Sequence, residues 1–266
     1  MKKKLALLTA LSLTLSLSCS AFAEESTEAA SEAATEAVTE AAETEVEPDV
    51  KSEGVMTYDE YIAAELDAEV VVETYVQAKQ SWWEDQATVY SQDKDGAYFL
   101  YNMACSEEDY EKLVPGTKIK VTGYKSEWSG EVEIIDATFE IEEGEYIAPI
   151  LDVTELLGTD ELIQHQNEFV AFKGMTVEPS TDADGNEAAF LYNYDGSGED
   201  GSDLYFNVSL NGETYTFLVE SYLCDNTTDV YKAVTELQVG DVIDMEGFLY
   251  WYEGANPHIT AVTAAE

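Results

Sequence analysis

Over residues 116–141 (GTKIKVTGYKSEWSGEVEIIDATFEI) hydrophobic and polar positions alternate with a period of two. Ile119 and Val121 alternate with Lys118, Lys120 and Thr122, the pattern of a strand with one side in a core and the other in water. Gly123 interrupts it, as a bulge or sharp bend would. After Ser129-Gly130 the alternation resumes with Val132 and Ile134, then Phe139 and Ile141. The stretch predicts two strands joined by a short turn. Upstream, residues 56–68 predict a short helix capped by Thr57, and residues 69–78 a first strand. A polar-aromatic loop at 80–86 (QSWWEDQ) leads to a strand at 87–91, an Asp-Gly hairpin turn at 93–96 and a strand at 97–102. A short helix capped by Ser106 then ends at Leu113-Val114-Pro115-Gly116.

The pattern recurs further along. Residues 152–166 have helical character and 168–179 read as another first strand. Strands at 204–210 and 214–220 flank the turn Asn211-Gly212, and a helix is expected over 225–235. Leu237-Gln238-Val239-Gly240 matches Leu113 to Gly116, and strands follow at 242–252 and 258–263. Cys105 and Cys224 fall at the same place, just before each second helix. The copies differ at 180–202, a Gly/Asp-rich insertion whose Phe190-Leu191-Tyr192-Asn193 echoes residues 99–102 as a coincidence or an extra hairpin. These repeats divide the folded part into 55–146 and 147–266.

Three strands, a helix and two strands resemble the OB-fold. The residues that carry the resemblance are the run 70–76, the helix ending Leu113-x-Pro115-Gly116 and the fourth strand KIKVTG. It implies a mainly β chain of two tandem five-stranded OB-like Greek-key barrels, each with a short helix between its third and fourth strands. It also implies where a ligand lies: across strands two and three, between the loop after strand one and the loop between strands four and five.

The ends and the charge add a setting. Met1-Lys2-Lys3-Lys4, the apolar run 5–17 and Ala21-Phe22-Ala23 read as a signal peptide over 1–23 cleaved after Ala23. Cys19 as a lipoprotein cysteine is the competing reading, with Ser16 where a lipobox usually has Leu. Residues 24–54 repeat a Thr/Ser-Glu-Ala unit with almost no large apolar residue, a disordered acidic tether by composition. It resembles the tails of secreted proteins of Gram-positive gut anaerobes, which implies a secreted or cell-surface protein. The 266 residues carry a formal charge of −44, and the 45 acids and 8 Lys from Val55 onward leave −37, with no Arg. Such a field repels polyanions and anionic membranes. Nucleic acid is therefore not an expected partner, nor is membrane insertion, whereas an extracellular small molecule, glycan or peptide is.

Candidate chemistry centres on aromatics. Trp82 and Trp83 fall in the loop after strand one, Tyr124 and Trp128 in the strand four–five loop, and Tyr90 and Tyr101 on the floor between. Convergence there would give an aromatic cleft for a neutral sugar, a peptide or a cationic group, with Glu84, Asp85 and Glu127 as acceptors. Alternatively Trp82 and Trp128 cap the barrel end as packing. Trp251, with Tyr250 and Tyr252, occupies the corresponding late loop of the second copy. Asp182, Asp184 and Asn186 form a loose oxygen set for Ca²⁺ that does not match the EF-hand spacing, and no cofactor is otherwise implied. His165 and His258 have no His or Cys at ligand spacing. No nucleophile or phosphate-loop motif appears, so a non-enzymatic binding or adaptor protein is expected, with an oligonucleotide-binding protein or a structural spacer as rivals. Cys105 and Cys224 are read as buried fillers or as a bridge between the barrels.

Overall fold

The computed structural model describes residues 49–265, so the proposed signal segment and the tether as far as residue 48 lie outside it. The first barrel is built from β1 (Glu69–Lys79), β2 (Gln86–Gln92), β3 (Ala97–Ala104), β4 (Thr117–Trp128) and β5 (Glu131–Glu145), preceded by α1 (Tyr58–Ala63) and with α2 (Glu107–Tyr110) between β3 and β4. The strands close in the order β1-β2-β3-β5-β4. Every pair is antiparallel except β3 with β5. That parallel closure and the helix before strand four are OB topology. The inward residues of the alternation fill the barrel: Val70, Val72, Val89, Leu100, Ile119 and Ile134 are fully buried in one cluster.

Local chemistry explains the ends. Thr57 and Glu60 form a capping box at the start of α1. At its other end Lys125 of β4 reaches back, and its ammonium donates to the carbonyls of Tyr61, Ile62 and Ala64 at 3.1, 2.7 and 2.9 Å. A cation there complements the helix dipole and satisfies orphan carbonyls. Lys125→Met keeps the aliphatic stem and strands three carbonyls. We expect a loss of about 1–3 kcal/mol in urea denaturation, with α1 the first segment to exchange amide protons. Gly123 marks a register shift between β4 and β5. A Cβ there would lie 2.7 Å from Ile134 Cγ2 and 2.9 Å from the Ile135 carbonyl oxygen. The glycine predicted as a bulge is thus a point of close packing.

The second barrel repeats the plan. Its elements are β6 (Leu151–Asp152), β7 (Phe169–Glu178), β8 (Ser180–Thr181), β9 (Glu187–Ala188), β10 (Leu191–Tyr192), β11 (Leu204–Leu210), β12 (Glu213–Val219), α3 (Asp229–Thr235), β13 (Val242–Phe248) and β14 (His258–Ala264). The sheet β11-β12-β14-β13-β7 closes through a β11–β7 pairing, and β12 runs parallel to β14. The ring therefore has the strand order of the first barrel. Residues 152–166 depart from the expected helix. They form two 3-10 turns, Thr154–Leu156 and Leu162–His165, split by Gly158 in the left-handed region. The insertion at 180–202 supplies the β8–β9 hairpin, and the echoed Leu191-Tyr192 is β10, an extra strand on β11.

The two barrels share a packed seam. Tyr90, Phe99 and Phe248 form a third buried cluster, with Phe169, Leu223 and Tyr250 around it. The Tyr90 ring stacks on Phe248 at 4.5 Å, and its hydroxyl meets His258 Nδ1 at 2.5 Å. The Phe169 amide donates to Gln92 Oε1 at 2.9 Å. The strand four–five loop of the second barrel lies on that of the first: the amides of Trp251 and Glu253 donate to Glu131 Oε2 and the Ser129 carbonyl at 2.8 and 2.7 Å. At the entry to the described chain, Lys51 pairs with the buried Asp93 at 2.5 Å and donates to the Glu73 carbonyl, so this part of the acidic segment is docked on the first barrel. Cys105 and Cys224 are free, each buried in its own barrel's core, which corrects the alternative of a bridge. Burial raises both thiols to about 11, a small-filler environment rather than a reactive one.

A candidate ligand groove on the second barrel

Alternation decides which side chains each barrel turns outward. In β2 and β3, Val89 and Leu100 point into the core, so Thr88, Tyr90, Phe99 and Tyr101 face out. Tyr90 and Phe99 are nevertheless buried, because the second barrel lies over them. The face on which an OB-type ligand would rest on the first barrel is mostly occupied by its neighbour.

The second barrel keeps its own face open. Leu204, Phe206 and Val208 of β11 turn into the core, which sends Tyr205 and Asn207 outward. Thr214 and Thr216 of β12 stand beside them. Together they floor a groove of about 1000 Å³. One wall is the insertion, with Ser180, Thr181, Leu191 and Tyr194, and the other is the loop from Tyr252 to Asn256. The floor is fixed: Thr216 Oγ1 donates to Asn207 Oδ1 at 2.8 Å, and Asn207 Nδ2 donates to the Pro179 carbonyl at 3.2 Å. Tyr194 and Tyr252 are 75% and 50% exposed. The Tyr194 and Tyr205 rings meet edge to face at 6.5 Å. Burial, then the charge of Asp203, raises the Tyr205 phenol above its ordinary range, so the ring stays neutral. Among the lining residues Glu253 carries the one formal charge, and no lysine reaches the groove. Flat aromatic faces beside amides and hydroxyls can stack on rings and bond to their polar edges.

The residues singled out in the sequence separate. Trp83, 68% exposed, and Tyr101, 44% exposed, line a different cavity of about 410 Å³ where the barrels meet, together with Tyr222, Tyr250, Glu220 and His258. Trp82 does not line it. Its indole donates to the Cys105 carbonyl at 2.9 Å and holds the loop down. Tyr90 is wholly buried at the seam rather than on a ligand floor. Trp128 and Tyr124 are exposed on β4 and line neither cavity. The convergence of Trp82, Trp83 and Trp128 is therefore absent, because β4 carries Trp128 to the turn at Ser129-Gly130. Trp251 is half-buried, with its ring over Gly130, where a Cβ would lie 2.8 Å from Trp251 Cδ1. Asp182 spends its carboxylate on its own loop, accepting from the amides of Asp184 and Asn186 and from Asn186 Nδ2. Sequence reasoning missed Tyr194, Tyr205 and Asn207. The outward positions of β11 were legible as the polar half of its alternation, but the bulkier tryptophans of the first copy drew the assignment there.

No protein-family model and no curated protein sequence matches the chain. Solved structures do. The HINa domain of Ifi202 in complex with a 20-bp double-stranded DNA is 10% identical, with a TM-score of 0.34, over 75% of this chain and 100% of that one. A murine DNA-binding protein bound with double-stranded DNA is 12% identical, with a TM-score of 0.34, over 74% and 96%. A replication protein A heterotrimer bound to single-stranded DNA is 9% identical, with a TM-score of 0.26, over 82% and 70%. The DNA named with these neighbours stands against the expectation, drawn from charge, that sets nucleic acid aside as a partner. Likeness this distant does not say what this chain itself holds.

Proposed function

We propose that the protein is a non-catalytic binding protein that holds a ring-bearing ligand across the outer face of β11 and β12. One observation carries the reading: of two equivalent OB faces, one is sealed by the seam and the other lies open between its two flanking loops. OB folds use this surface for oligonucleotides and oligosaccharides alike. Tyr194, Tyr205 and Tyr252 offer stacking faces that suit nucleobases and sugar rings, and the amide and hydroxyl floor suits their uncharged polar edges. The basic start and Ala21-Phe22-Ala23 support export of this binding protein.

The test titrates the protein with oligothymidylate and with neutral oligosaccharides, following tyrosine resonances. Tyr252→Ala, at an exposed loop position, is expected to weaken the ligand that binds by about tenfold, since stacking on one aromatic is worth about 1–3 kcal/mol. Salt separates the ligands. A neutral sugar binds independently of salt. An oligonucleotide held by its bases, with no lysine in the groove, binds more tightly as salt screens the protein's negative field, the reverse of the usual slope. No saturation by either ligand, or binding that Tyr252→Ala leaves intact, removes the groove from consideration.

A further inference from the structure

The cavity where the barrels meet has a feature the groove lacks. Glu220, at the end of β12, is more than nine-tenths buried, lines this cavity and leaves its Oε2 without a hydrogen-bond partner. Rings surround it. Trp83 comes from the loop after β1, Tyr101 from β3, and Tyr222 and Tyr250 from the second barrel. The walls are tied together, since the Ser81 amide donates to the Tyr222 carbonyl at 2.7 Å across the seam. Tyr250 is held in place by stacking on His258 at 4.3 Å and by an edge contact with Phe99 at 5.3 Å. A second carboxylate lies behind: Asp203 accepts from the Ser221 amide and hydroxyl at 2.8 and 2.7 Å and faces Glu220. No lysine lines the cavity.

A buried carboxylate with one unpartnered oxygen among electron-rich rings suits an organic cation. A positive centre is attracted both to the carboxylate and to the negative faces of Trp and Tyr, and desolvation strengthens both attractions. We propose that this junction cavity binds an organic ammonium ion, with Glu220 as its counter-ion and Trp83, Tyr101, Tyr222 and Tyr250 as an aromatic cage. A metal ion is a poorer match, because the cavity offers one carboxylate where hard cations take six or more oxygens. The site lies on another face from the β11–β12 groove and does not depend on it.

The charge state of Glu220 makes the site pH-dependent. Burial, reinforced by Asp203 and opposed by the amides of Leu223 and Tyr222, raises its pKa to about 7. Five neighbouring groups stay neutral in this range. Burial lowers His258 to about 3, raises Cys224 to about 11, and lifts the phenols of Tyr90, Tyr205 and Tyr250. Cation binding needs the ionised carboxylate, so affinity rises with pH through 7.

Choline and its uncharged isostere 3,3-dimethylbutan-1-ol test the proposal by calorimetry and tryptophan fluorescence on the full chain. We expect choline to bind and the alcohol not to. Affinity at pH 8 should exceed that at pH 6 by about tenfold, the change in ionised fraction of a group titrating near 7. Glu220→Gln, which keeps the shape and relieves the buried acid, should weaken choline by more than tenfold and flatten the pH dependence. Trp83→Ala, at an exposed position, should weaken it without altering stability. Equal binding of the alcohol, an unchanged Kd in Glu220→Gln, or no saturation by about 10 mM choline at pH 8 overturns it.

Discussion

Gly247→Val is expected to prevent the second barrel from closing. Gly247 sits inside β13, which is bonded on both sides, to Val170 of β7 and to Ile259 of β14, and it marks a register shift on the β14 side. A Cβ there would fall far inside van der Waals contact distance of the His258 carbonyl oxygen and lie 2.8 Å from Ile259 Cα and 2.9 Å from the His258 carbonyl carbon. All three are backbone atoms, so no rotamer change relieves the overlap. β14 has to move, and with it His258, the partner of Tyr90 at the seam. A loss above about 4 kcal/mol follows, in the range reserved for overpacking at a backbone contact. Collapsed near-UV circular dichroism and a urea midpoint near zero are the expected readouts. Gly174→Ala is the control: it carries a positive φ of +63° with open space around it. Its expected cost is about 1 kcal/mol of backbone strain alone. A Gly247→Val protein as stable as the Gly174→Ala one would show that β14 yields freely and would remove the close approach as a determinant of closure.

The corresponding Gly123 of the first barrel was visible as a break in an alternating run, and so was the barrel itself. The strands at 69–78, 87–91, 97–102 and 116–141 follow from a period of two and from turn residues whose conformational demands are local. What local chemistry fixes, the sequence exposes. The seam is another matter. Tyr98-Phe99-Leu100 is continuously apolar, the mark of a strand buried on both faces. Yet nothing near residue 99 says that the covering ring is Phe248 or that Tyr90 meets a histidine 168 positions away. The tryptophans misled for a related reason. Trp82 sits in a loop and Trp128 at the end of β4; the direction of the first is set by its indole, which donates to the Cys105 carbonyl, and that of the second by the strand. The expected helix at 152–166 failed at one residue, Gly158, which turns the chain in the left-handed region. Glu131 and Glu220 looked like two of 56 interchangeable acids. Only their three-dimensional surroundings set them apart.

Glu131 carries the other large expected effect, a stability that falls as pH rises. It is wholly buried beside the seam, and its Oε2 accepts the Trp251 amide at 2.8 Å. Its Oε1 and the neighbouring Asn167 Oδ1 are both buried acceptors without a donor. Protonation removes a buried charge for which Oε1 has no donor, while Asn167 Nδ2 stays bonded to the Val132 carbonyl at 3.3 Å. Burial accordingly lifts this carboxyl from an ordinary 4.5 to about 8, against the opposing hydrogen bond from the Trp251 amide. The folded state then holds the proton more tightly than the unfolded chain does. The favourable contribution is complete below 4.5 and is lost as pH climbs toward 8, at about 1.4 kcal/mol per pH unit between the two values. Between pH 5 and pH 8 that amounts to about 4 kcal/mol, while His258, lowered to about 3 by burial, acts in the opposite sense and only below 6.5. Glu131→Gln reproduces the neutral form, with its oxygen still accepting from the Trp251 amide. The variant should match the native protein at pH 5 and exceed it by several kcal/mol at pH 8 in urea denaturation. Parallel stability profiles for the two proteins from pH 5 to 8 would mean that Glu131 is ionised in the folded state, and a neutral carboxyl at the seam would have to be abandoned.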